Sequence, residues 1–297
     1  MLGHKGDPWT WQNSELLRQP TGLDARFFIL HRGEQPFANI MVVDHGGVGL
    51  LGHVWTSPAD RGSGASSALM ELALDDFRDR GGAALYLGTD YDGPAWHYYR
   101  RRGFEPLLPD SGTMLWRPAG SDTGDTLVLG SPRVEPLAWR HWPASIPLFL
   151  HPEGGVVRLA ASKLYGRELS EGPLIPLIRA QHTRQAAGLP PAATVLLPEK
   201  GGELLGLASV MPDPFWPRTG LLDLFCQPGG WAHVDTLVCA LQPSGYDRLV
   251  AFADASQTQK HASLQRAGFR VQFVLPRWLS APPSHRVPAD VVLFLRD

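Results

Sequence analysis

Arg61-Gly-Ser-Gly-Ala-Ser66 joins an apolar run, Val48-Gly-Leu-Leu-Gly-His-Val-Trp-Thr56, to a helical stretch that begins at Ser67. Glycines at 62 and 64 let the backbone turn tightly and come close to a ligand. Successive N–H groups can then point at one anion while the positive end of the following helix favours its charge. Such a loop offers the means to hold a phosphate or pyrophosphate; a turn glycine without a ligand is the plainer alternative. Downstream, Asp92-Gly-Pro-Ala-Trp-His-Tyr-Tyr-Arg-Arg-Arg-Gly-Phe104 places Tyr99 one turn before a glycine stop. Its phenol is either a proton donor or the satisfied hydroxyl of a core tyrosine. Histidine side chains are the ones that ordinarily change charge near neutrality, so His53 is a candidate base, although strand alternation sets it on the face opposite Gly52 and Val54. His97 and Asp90 are the other candidates. Arg100-Arg101-Arg102 reads as a solvated helix end favoured by the dipole, or as a group within reach of a phosphate.

Several elements must position these residues. Residues 48–56 carry the branched and aromatic side chains of a strand, and Ser57-Pro58 ends it. Leu69, Leu72, Ala73, Asp76 and Phe77 recur at helical spacing over residues 67–80, and Gly81-Gly82 stops that helix. Residues 83–88 form a second short strand, after which Pro94 suits a first helical turn and Gly103 a helix end. Upstream, residues 11–19 predict a short helix, and 25–31 and 37–43 two strands that lead by a turn at 44–47 into the third. Residues 105–108 and 113–116 suit a closing hairpin.

In this order of elements, residues 20–118 resemble the GCN5-related N-acetyltransferases. That family has an Arg/Gln-x-x-Gly-x-Gly/Ala loop after its fourth strand and an Asn-x-x-Ala-x-x-x-Tyr-x-x-x-Gly-Phe helix downstream. This chain has Arg61-x-x-Gly64-x-Ser66, then Asp92-x-x-Ala95-x-x-x-Tyr99-x-x-x-Gly103-Phe104, with Ser66 in place of Gly or Ala and Asp92 in place of Asn. The resemblance implies acetyl-coenzyme A as cosubstrate and no metal. It implies that the backbone of Val54, Trp55 and Thr56 holds the pantetheine arm, and that Arg61, Gly62, Ser63, Gly64, Ala65 and Ser66 hold the pyrophosphate. Asp92 and Ala95 are implied as further cofactor contacts, and Tyr99 as the general acid for the leaving thiolate. His53 is the candidate catalytic base. The implied activity is that of an N-acetyltransferase acting by direct attack of a primary amine, on a small molecule or a peptide. The alternative is an inactive acyl-coenzyme A sensor or interaction scaffold.

The second half of the chain repeats the first. Gly220-Leu-Leu-Asp-Leu-Phe-Cys-Gln-Pro228 parallels Gly49 to Pro58, and Gln265-Arg-Ala-Gly-Phe269 parallels Arg100 to Phe104, at offsets of 171 (220 − 49) and 165 (268 − 103). An α/β (α+β) protein of two tandem domains is therefore expected, each with a mixed, mostly antiparallel twisted sheet flanked by helices. The domains are expected at 1–125 and 131–297, with a polar boundary near 120–130. The first has little room before residue 24 for the extra strand and helices of a complete domain of the family, so a truncated front is expected. In the second, residues 134–139 resemble the opening strand; 144–150 and 174–187 predict helices, and 193–197 and 204–210 strands. The copy lacks the leading arginine, carries bulky Trp231 in its loop and has Leu264 where Tyr99 stands. A non-catalytic unit that packs on the first and shapes its substrate cleft is expected.

At 297 residues the chain can bury two cores, and its net charge of −2 offers no basic field for nucleic acid or an anionic membrane surface. Cys226 and Cys239 are too few for a disulfide framework or a zinc cage. With no apolar run of ~18 residues and no apolar segment near Met1, a cytoplasmic protein is expected, monomeric or homodimeric. Large core side chains account for most of the ten tryptophans.

Overall fold

A computed structural model describes residues 6–119, 131–199, 202–243, 245–279 and 288–297. Contacts divide the chain into two units, Met1–Asp125 and Thr126–Asp297; the polar stretch at 120–130 lies outside the described residues.

The first unit runs α1 (Asp7–Arg18), β1 (Asp24–Arg32), β2 (Gln35–His45), β3 (Val48–Thr56), α2 (Ala65–Asp79), β4 (Ala84–Gly88), α3 (Pro94–Arg100), β5 (Glu105–Pro106) and β6 (Thr113–Trp116). Its sheet has the order β1-β2-β3-β4-β6-β5, antiparallel except where β3 and β4 run side by side. That parallel pairing covers only Val48–Leu50 against Ala84–Tyr86, after which the two strands are no longer paired. Helix α1 starts four residues earlier than the pattern at 11–19 predicts, because Asp7-Pro8 supplies a good first turn. The buried stripe of α2 is Ala65, Leu69, Met70, Ala73 and Phe77; Leu72, expected on that stripe, is 57 % exposed. The i, i+4 row from 65 to 77 sets the face, and Met70 flanks it where Leu72 points away. At the other end of α2, Arg80 donates to Asp44 at 2.7 Å, Asp24 at 3.1 Å and Asp76 at 2.9 Å, tying the helix to the first two strands.

The second unit contains β7 (Arg133–Pro136), α4 (His141–Leu150), β8 (Val157–Leu159), β9 (Leu164–Tyr165), α5 (Glu171–Ala186), β10 (Ala193–Leu197), β11 (Gly206–Pro212), β12 (Thr219–Cys226), α6 (Val234–Cys239), β13 (Arg248–Asp254), α7 (Thr258–Arg266), β14 (Arg270–Leu279) and β15 (Ala289–Arg296). Its main sheet is ordered β7-β10-β11-β12-β13-β15-β14, and from β10 to β14 it repeats the order of the six strands of the first. β12 and β13 form its parallel pair, as β3 and β4 do in the first sheet. β7 has no counterpart among the described strands of the first sheet. The small β8–β9 sheet is an addition the sequence pattern did not reveal, its strands being only three and two residues long. The two sheets are thus mixed, mostly antiparallel and flanked by helices, as expected from the repeat.

Candidate active site

Where β3 and β4 part, the first unit opens a cavity of about 490 Å3. Its lining comes from the end of β3 (Val54, Trp55, Thr56), the loop (Asp60, Arg61, Gly62, Gly64), the start of α2 (Ala65, Ser66) and α3 (Pro94, Ala95, Tyr98, Tyr99). Gly62 (φ 79°) and Gly64 (φ 85°) adopt the left-handed backbone that the turn needs. Gly64 caps α2, and no side chain caps that helix in its place. The first N–H groups of a helix have no partner within it, and Ala65 and Ser66, which carry two of them, line the cavity. Free N–H groups, the helix dipole and the cationic Arg61 at the rim fit a pyrophosphate, the anionic part of coenzyme A. The rest of the loop is braced from beneath. Asp60 accepts from Ser57 Oγ at 2.7 Å and from Arg32 at 2.5 Å, while Ser63 Oγ donates to the Asp60 carbonyl at 2.7 Å. The Arg32 guanidinium, with Ser57, holds the Asp60 carboxyl below the usual range.

The β3 wall is irregular. The register between β2 and β3 passes from Asn39↔Trp55 to Met41↔Gly52, so Ile40 faces two residues, His53 and Val54. This is a β-bulge of the kind found beside active sites. His53 takes up the extra length in the left-handed region (φ 52°), which costs a residue with a side chain about 1–2 kcal/mol.

Tyr99 is 7 % exposed and lines the cavity. Burial raises the pKa of its hydroxyl well above the usual value, so the phenol carries its proton at neutral pH.

Not every residue singled out in the sequence reaches this cavity. His53 is buried on the other side of β3, its Nε2 3.2 Å from Gln12 Oε1 and its ring edge-on to Trp9 of α1. Asp92 is exposed and paired with His97 at 3.1 Å, Asp90 is exposed, and Ser63 is turned to the loop backbone. Other contacts went unforeseen. Tyr98 donates to the Ser66 carbonyl at 2.7 Å, and Arg102 lies 3.6 Å from the Tyr98 ring centre while bonding Ser67 Oγ. Together they fasten α3 to the first turn of α2, and the i, i+4 spacing of Tyr98 and Arg102 was the available signal. Arg100 pairs with Glu105, so the arginine run is divided between two structural tasks.

The equivalent region of the second unit is built differently. Trp231 is packed into the core, and a Cβ on Gly230 would stand 2.4 Å from the Leu205 carbonyl oxygen, so the cavity of about 320 Å3 here is lined by the Trp231 side chain and Lys260 where the first unit presents a glycine loop and Ala95. Leu264 is fully buried in that core. On β12 and β13, Asp223 accepts the Ala160 and Ala161 N–H groups at 2.7 and 2.9 Å, and Asp254 those of Val156 and Val157 at 2.9–3.0 Å. Lys260, offset by 165 from Ala95, donates to the Val157 carbonyl at 3.0 Å. Carboxylates and an ammonium therefore hold a segment of the chain itself.

Residues 5–104 match the model of the Acetyltransferase (GNAT) family. A search of curated proteins returns no match. Solved structures that match include a ribosomal-protein-alanine N-acetyltransferase from Brucella melitensis, with 16 % identity over 55 % of this chain and 98 % of its own and a TM-score of 0.39. An N-acetyltransferase from Staphylococcus aureus Mu50 has 18 % identity over 57 % of this chain and 99 % of its own, with a TM-score of 0.41. The acetyltransferase yncA from Salmonella typhimurium, solved with acetyl-CoA, has 14 % identity over 57 % and 94 %, also with a TM-score of 0.41.

Proposed function

We propose, from the match of residues 5–104 to the model of the Acetyltransferase (GNAT) family, that the first unit of this chain transfers the acetyl group of acetyl-coenzyme A to a primary amine by direct attack. One observation carries the reading. The end of β3, a loop with two left-handed glycines, an uncapped helix start and Tyr99 all face one cavity of about 490 Å3.

Acetyl-coenzyme A would supply the electrophilic thioester carbon. Arg61 and the N–H groups from Gly62 to Ser66 bind and orient the pyrophosphate end. The backbone of Val54 to Thr56, which lines the cavity, would hold the pantetheine arm and offer an N–H to the acetyl carbonyl, stabilising the negative charge that grows on its oxygen. Tyr99 gives its proton to sulfur as the C–S bond breaks, a role for which a buried, fully protonated phenol is suited. His53, facing α1, is not assigned the base role; the amine loses its proton to solvent at the cavity mouth. The second unit, with Trp231 and Leu264 in its core, is read as non-catalytic.

Thiol release from acetyl-coenzyme A in the presence of a panel of primary amines tests the reading. Wild-type protein is expected to release thiol with at least one amine, and Tyr99→Phe to do so roughly 10²-fold more slowly with nearly unchanged acetyl-coenzyme A affinity. Equal turnover by the two proteins removes Tyr99 from its role. Tight acetyl-coenzyme A binding with no thiol release for any amine favours an acyl-coenzyme A sensor.

A further inference from the structure

We infer that Asn39 is a positioning residue for the acyl group, acting through the peptide that joins His53 to Val54. The inference rests on the acetyl-coenzyme A reading and adds to it a side chain that neither the sequence motifs nor the cavity lining includes.

Asn39 lies on β2 and is 6 % exposed. Its Nδ2 donates to the carbonyl oxygen of His53, the residue that takes the left-handed turn in the β3 bulge. No peptide bond here is cis, and a trans peptide carries its C=O and N–H on opposite edges. Drawing the His53 carbonyl toward β2 therefore turns the Val54 N–H away from β2. That side is where β4 no longer pairs with β3, the pairing having ended at Leu50 and Tyr86. Val54 lines the cavity there. The Asn39 amide thus sets the direction of the one N–H best placed to meet a thioester carbonyl, and it does so from the opposite side of the strand.

A second feature marks Asn39 as more than a packing residue. Its Oδ1 is buried with no hydrogen-bond partner among the described residues. A buried unsatisfied acceptor is destabilising, and a leucine of similar shape would avoid it. Retaining the amide is explained if the donor is needed at the bulge. Gln12 and Trp9 hold the His53 ring from α1, so the peptide is gripped at its carbonyl and its side chain together.

The test needs no acceptor amine. Calorimetric titration gives the ratio of the Kd for coenzyme A to that for acetyl-coenzyme A, the quantity to which the acetyl carbonyl contact contributes. In wild-type protein acetyl-coenzyme A is expected to bind more tightly. Asn39→Leu, which keeps the bulk and drops the donor, is expected to lower that preference about fivefold with little change in the Kd for coenzyme A. Asn39→Ala serves in its place if the leucine variant does not fold, with circular dichroism establishing which variant is native. A folded variant with undiminished preference and only a lowered melting temperature overturns the inference, as does a wild-type protein that does not distinguish the two ligands. Wild-type protein that binds neither ligand overturns the cofactor reading beneath it, a separate outcome.

Discussion

Gly64 separates conformation from space at the anion loop. It sits at φ 85°, ψ −3° as the cap of α2, and a Cβ added there would meet no atom within 4 Å. A substitution therefore introduces no clash, and whatever it does arises from the left-handed backbone. For a residue with a Cβ that conformation costs about 1–2 kcal/mol, less for asparagine and more for a β-branched side chain. Two variants follow, Gly64→Asn and Gly64→Val. If the loop of the valine variant keeps its shape, the cost appears as lost stability of the first unit. If the loop relaxes, the N–H groups leave the cavity and coenzyme A affinity falls by about 5- to 30-fold, the same energy expressed as a dissociation constant. Calorimetry at fixed ionic strength, paired with a thermal melt, records both. The asparagine variant is expected to stay close to wild type in both, and the valine variant to lose affinity, stability or a share of each. A valine variant matching wild type in both measurements refutes the claim that a left-handed Gly64 builds the site.

Three further outcomes are expected. Arg61→Glu reverses a charge at the exposed rim, so coenzyme A affinity should fall about tenfold in dilute buffer and the difference should shrink as salt is added, in titrations at two ionic strengths; a salt-independent loss contradicts an electrostatic role. Tyr98→Phe removes the bond to the Ser66 carbonyl, and a melt should show a loss of about 1 kcal/mol together with weaker coenzyme A binding, because the first turn of α2 is no longer held against α3. In the second unit, burial pushes the Asp223 carboxyl up to about 6, with Lys260 and the Ala160 and Ala161 N–H groups opposing. A folded-state pKa above the unfolded 3.8 means that folding favours the protonated form. Its contribution to stability is fully present below the unfolded value and is lost as pH rises through about 6. Asp223→Asn, which removes this ionisation, should therefore flatten part of the fall in full-chain stability between about pH 4 and pH 7 read from denaturant titrations, and an unchanged pH profile contradicts the burial cause.

The parts of the site written in local pattern were legible in the sequence. Gly62, Gly64 and the helix after them announce a loop whose backbone has to turn left-handed, and a motif spacing brings Tyr99 to the same place. What was not legible depends on partners distant in sequence. Strand alternation set His53 on the face away from Val54, and the structure also turns it from the cavity, but the bulge that shifts this stretch depends on register with β2, which no local pattern reports. Asp92 occupies a motif position yet pairs with His97, because its left-handed backbone (φ 56°) and exposure leave the nearer histidine as its partner. Asn39 gave no sign at all: a single amide in an apolar strand acquires meaning only from the carbonyl across the ladder. In the second unit, Asp223 and Asp254 act on backbone N–H groups more than sixty residues away in sequence, which no local pattern reports. The β8 segment they hold was invisible because a three-residue strand shows no periodicity.

The central claim is that the first unit, and not the second, binds acetyl-coenzyme A. A calorimetric titration of the full chain, read for stoichiometry before affinity, tests it most directly. One site per chain, weakened by Arg61→Glu, is the predicted result. Two sites per chain, or a single site indifferent to Arg61→Glu, would contradict it.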